Sequence, residues 1–131
     1  MTPHDLTTEK VKMLYATYDT EQDAVANHDM ITVTALSTVF KAERFLSEQY
    51  EAAAWNTVKH LSANGILDKE SMLKIAKDSH DRDETADPVA FEVFKAYLTG
   101  QSVRVVIKRM ILAEFSSVFS LEGFYASYGI V

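Results

Sequence analysis

The chain has 131 residues, 47% of them hydrophobic and 24% charged, the balance of a globular domain rather than a disordered one. Its net charge of −6 and pI near 5.1 argue against non-specific binding to nucleic acid. The lack of any Cys excludes disulfides and thiolate metal sites and makes a reducing, cytoplasmic setting the default expectation.

Only four Gly and two Pro punctuate the chain, too few for a many-stranded β protein. The expectation is therefore all-α: a single-domain bundle of about five helices with a long central helix. The N-terminus MTPHDLTTEK has no basic head followed by an apolar run, so no signal peptide is expected. No apolar run approaches the roughly 18 residues of a membrane span; in VRVVIKRMILAEF charges recur every few residues. No membrane partner is expected.

The first helix is predicted from Thr7 or Thr8 to about His28, with Glu9 in the first turn and Val11, Leu14, Tyr15, Tyr18 and Val25 on one stripe. Asn27-His28-Asp29 reads as its break. Met30 to Val33 is β-branched and is expected to be an extended connector, with Thr32 or Thr34 capping the next helix. That helix, the spine of the fold, runs from about Thr34 to Ala63. Leu36, Val39, Phe40, Leu46, Tyr50, Ala54, Val58 and Leu61 form one stripe at helical period, with no Gly or Pro to interrupt it. Such a helix would be about 45 Å long. Gly65 is its expected left-handed stop.

Asp68 is placed to cap a further helix, Leu67 to staple it against Met72, and the apolar side continues to about Asp78. SHDRDETAD reads as a surface loop. Asp87-Pro88 opens a strongly apolar helix that Gly100 closes. Val103 to about Phe119 has the residues of a strand, but its unbroken length favours a helix, and its breadth of apolar positions predicts the most buried one. The tail SLEGFYASYGIV keeps too many large apolar groups for a free end and is expected to dock on the body or on another subunit.

His28-Asp29 and His80-Asp81 each resemble the His-Asp doublet of the HD metal-dependent phosphohydrolases, in which His and carboxylate hold divalent ions that activate water. That resemblance would imply a ligand set of His4, His28, Asp29 and Asp78. Around His80 the closing ligand is missing, because no Asp follows Asp87. A calcium loop starting at Asp81 would put Ala86 at the place that needs Gly, with Pro88 inside the loop. A DNA-reading helix-turn-helix would aim Asp68 and Glu70 at phosphate. Arg104, Lys108 and Arg109 form the one basic cluster, better suited to pairing with acidic neighbours than with nucleic acid. Nucleophile elbow, phosphate loop and zinc-helix motifs are all absent, and the carboxylate-bearing pairs Glu48/Glu51 and Glu43/Ser47 read as solvated helix surface.

Aromatic residues carry the remaining signal. Phe45 and Trp55 lie off the main stripe of the spine, where either a neighbouring helix covers them, the favoured expectation, or a partner does. Phe119, Phe124, Tyr125 and Tyr128 crowd the tail, and Asp81, Asp83 and Glu84 offer an acidic contact surface. The resulting expectation is a non-enzymatic protein-binding module without cofactors: a regulator, inhibitor or assembly subunit whose partner is another protein or a second copy in a homodimer. Many phage and mobile-element products have this composition. The alternatives are the HD-like phosphohydrolase and a helical protein holding an apolar ligand among Phe91, Phe94, Tyr97 and Met110.

Overall fold

The computed structural model describes residues 7–115, and these form six α-helices and no strand. They are α1 (Thr8–Thr17), α2 (Glu21–Val25), α3 (Met30–Ala63), α4 (Lys69–Arg82), α5 (Pro88–Thr99) and α6 (Val103–Glu114). The all-α expectation stands. The count among the described residues is six rather than five because the first expected helix is two.

That break arises from threonine chemistry. Thr7 caps α1 by accepting from the Lys10 amide at 3.1 Å, and Thr20 caps α2 by accepting from the Asp23 amide at 3.2 Å. A cap residue needs extended backbone, which Thr20 and the preceding Tyr18 both adopt, so one helix cannot run through them. The expected extended connector at Met30–Val33 is also corrected: it is the first turn of α3. Asp29, rather than Thr32 or Thr34, accepts the orphan amide of Thr32 at 3.0 Å. The spine is thereby lengthened to 34 residues.

α3 ends as expected. Gly65 takes φ +86°, and the Ile66 amide closes on the Leu61 carbonyl at 3.0 Å. The staple expected from Leu67 is not formed, since Leu67 is 77% exposed. Its neighbour Ile66 packs on the Met72 cluster instead. Asp68 caps α4 through the Ser71 amide at 2.9 Å. This helix continues past Asp78 to Arg82, so the first half of SHDRDETAD is its last turn and not loop. Asp87 caps α5, Pro88 takes its first position, and Gly100 at φ +74° ends it.

α6 settles the strand-or-helix question at Val103–Lys108 as helix, and it spans Val103–Glu114; the expected boundary at Phe119 lies outside the described residues. Val103, Ile107 and Ile111 are buried at four-residue spacing while Arg104, Val105 and Arg109 are exposed. It is thus an amphipathic helix with one apolar stripe. α5 likewise buries Val93, Phe94, Ala96 and Leu98.

The contacts divide the chain into two compact units, one holding residues up to Phe45 together with those from Arg109 on, the other Leu46–Lys108. Both boundaries fall inside helices, in α3 and in α6. In the first unit Tyr15 meets Phe40 edge to face at 5.1 Å, and Val11, Leu36, Val39 and Ile111 are also buried there. In the second, Ala54, Met72, Phe94 and Leu98 form a cluster on which Val58, Leu61 and Leu73 pack. Each large aliphatic or aromatic side chain so buried contributes about 1.5–3 kcal/mol. The expected tail docking, with Phe119, Phe124, Tyr125 and Tyr128, lies outside the described residues.

Candidate functional site

The stripe of α3 that faces the second core uses Ala54, Val58 and Leu61. Trp55 follows Ala54 by one residue, a step of about 100° around the helix, and so points away from that core. Its side chain is 50% exposed, with the Lys59 ammonium 5.7 Å from the ring centroid. In the first unit Phe45 is 41% exposed. The favoured expectation that a neighbouring helix covers these rings is overturned among the described residues: both remain open to solvent.

The acidic candidates fall where α4 ends. Asp81 sits exposed in the last turn, Asp83 is the C-cap and Glu84 comes next in the connecting loop. Thr85 donates to Asp83 Oδ1 from its hydroxyl at 2.7 Å and from its amide at 2.9 Å. These bonds hold the Asp83 carboxyl below the usual aspartate range, with a smaller contribution from His80.

Beside them the second unit has a groove of about 480 Å³ between the end of α3, α4 and the start of α5. Leu61, Ile75, Phe91 and Phe94 supply its apolar wall, while Asp83 and Asp87 stand at one edge. His80 stacks on Phe91 with centroids 5.4 Å apart and planes 14° apart, tying α4 to α5. Asp87 is pinned twice: its Oδ1 accepts from the Val89 amide at 2.9 Å and its Oδ2 accepts from the Tyr50 hydroxyl. Of the four residues expected to hold an apolar ligand, Phe91 and Phe94 line this groove. Tyr97 packs on the core cluster, and Met110 belongs to α6 and does not line the groove.

The residues of the phosphohydrolase alternative have other employment. His28 shares a 2.8 Å hydrogen bond with the Tyr18 hydroxyl, Asp29 caps α3, and Asp78 lies exposed on α4. His4 lies outside the described residues. Among those described, no three His, Asp or Glu side chains come together in a group able to hold a metal.

Glu43 is the residue that sequence reasoning misplaced. Expected on a solvated face with Ser47, it is 2% exposed, and its Oε1 accepts a 2.7 Å hydrogen bond from the fully buried Tyr15 hydroxyl. The signal was its position: Glu43 lies seven residues after Leu36, four after Val39 and three after Phe40, on the buried stripe itself. A shallow polar depression in the first unit, bordered by Ser37, Thr38, Lys41 and Arg44, has its guanidinium paired with Glu21 at 3.2 Å.

No family model, no curated protein and no solved structure matches the chain significantly. No described helix is long and apolar enough to cross a membrane.

Proposed function

We propose that this chain is a non-enzymatic protein-binding module, an acidic regulator, inhibitor or assembly subunit. The observation that carries the reading is Trp55, the chain's single tryptophan, standing half in water on a long helix, in the unit that also holds an open, largely apolar groove. Tryptophan is the residue type most enriched at interface hot spots, and half of its large apolar surface stays wet until something covers it. Phe45 gives the first unit a second exposed ring. Among the described residues no three His, Asp or Glu side chains are grouped to hold a metal, so the phosphohydrolase reading gains no support there.

The test is substitution at a position where the fold does not depend on the side chain. Trp55→Ser should leave the circular-dichroism spectrum and unfolding midpoint unchanged while releasing a protein that the wild-type chain retains from its native host. A second copy of the chain is the first partner to score, by sedimentation at rising concentration with and without the substitution. Equal retention by both forms, with no self-association, sinks the proposal.

A further inference from the structure

We infer that the groove between α3, α4 and α5 is a docking site for a short amphipathic segment of a partner protein, one that sets a Lys or Arg beside a large apolar side chain. This rests on the protein-binding reading and adds the chemistry of what is bound.

Size comes first. A groove of about 480 Å³ falls in the range of roughly 300–1,000 Å³ typical of ligand sites, room for two or three side chains rather than a whole helix face. Its wall is apolar but wet: Ile75 is exposed and Phe91 half-buried. Covering such surface is the main favourable term in association. Charge then selects among apolar occupants. Asp83 and Asp87 line the groove together with His60 and His80, Glu84 follows Asp83 in the loop, the charge of Asp81 is offset by the adjoining Arg82, and no Lys or Arg lines the groove. An anionic peptide or a nucleic acid would meet like charge there, whereas a basic residue next to the apolar anchor would meet its complement.

The carboxylates are also held in place before anything binds. Thr85 fixes Asp83, and the Val89 amide and Tyr50 hydroxyl fix Asp87. The His80–Phe91 stack holds the wall between them. Side chains already ordered lose little further freedom on association.

Fluorescence anisotropy with three short labelled peptides tests this directly. The first is built of Leu, Ala and Lys; the second replaces its Lys with Glu; the third replaces its Leu with Ser. The wild-type chain should bind the first and neither of the others. Ala90→Phe, which fills the groove from an exposed position on α5, should weaken that binding by about tenfold or more. Asp83→Asn with Glu84→Gln keeps an acceptor for Thr85 but removes two charges, and should weaken binding and flatten its dependence on salt. Binding unchanged in Ala90→Phe, equal binding of the Glu peptide, or saturation by a neutral apolar dye alone would overturn the inference. If Ala90→Phe still retains the host protein that Trp55→Ser releases, the protein-binding reading stands and the groove assignment fails. If the wild-type chain retains nothing, that reading itself fails.

Discussion

The Tyr15 hydroxyl donates to Glu43 Oε1 across 2.7 Å inside the first unit, joining α1 to the middle of α3 with both side chains withdrawn from solvent. A buried polar side chain costs desolvation that its hydrogen bonds must offset. Tyr15→Phe should therefore lower stability by about 1–3 kcal/mol, since it removes a donor to a buried acceptor while keeping the ring against Phe40. Tyr15→Phe combined with Glu43→Leu should cost less than the sum of the two single changes, because the hydrogen bond they share is lost only once. Urea unfolding of the four species closes the cycle. Strictly additive losses would show that the pair is not coupled.

Met72 and Leu67 make a contrasting pair on the second unit. Met72→Ala opens a cavity in the cluster with Phe94 and Leu98 and should cost about 2–5 kcal/mol. Leu67→Ser, at a residue in water, should change stability by no more than about 0.5 kcal/mol. Thermal or urea midpoints in the opposite order would contradict the placement of these two side chains.

At Gly100 the left-handed backbone is the whole cost of substitution. A Cβ there would meet nothing within 4 Å, yet φ is +74°. Gly100→Ala should lose about 1–2 kcal/mol through the steric penalty of that backbone region alone. Gly100→Asn should lose less, because Asn tolerates the conformation. Equal losses for the two would point to a contact rather than to backbone strain.

Three helix-end carboxylates should contribute to the acid limb of stability. Hydrogen bonds from Thr32, Ser71 and Thr85 hold Asp29, Asp68 and Asp83 respectively below the usual aspartate range. A depressed folded pKa stabilises the native state above the ordinary aspartate value of about 3.9, and that stabilisation is lost as pH falls through the lower, folded value. Asp68→Asn preserves an acceptor for Ser71 but cannot titrate. Its urea midpoint should fall less than that of the wild type between neutral pH and pH about 3. An identical fall in both would remove Asp68 from the acid response.

What the sequence made legible was whatever depends on local chemistry. Asp68, Asp87-Pro88, Gly65 and Gly100 mark helix ends by their own side chains and backbone preferences, and each does so in the fold. The α1–α2 break was hidden because no Gly or Pro marks it; a Thr hydroxyl does the same work without a distinctive residue. At Asp29 a cap was obscured by a neighbour, since standing next to His28 gave it the appearance of a metal ligand. Glu43 was misread because its type outweighed its position on the stripe. The exposure of Trp55 depends on which helices pack where, and periodicity along one helix carries no information about that. The groove needed three helices to be placed before its wall and its acidic edge could be seen as one surface.

The borders of the inner unit carry a practical consequence. Leu46 and Lys108 each sit within a continuous helical backbone, so trimming the chain at either point would sever amide-to-carbonyl ladders and leave raw ends in place of caps. Recombinant fragments cut there would begin with a half-helix stripped of its upstream turns. The loops that bear natural end signals, at 64–68 and 83–87, lie inside that unit instead, and a cut or insertion there would leave the helical ladders on either side intact.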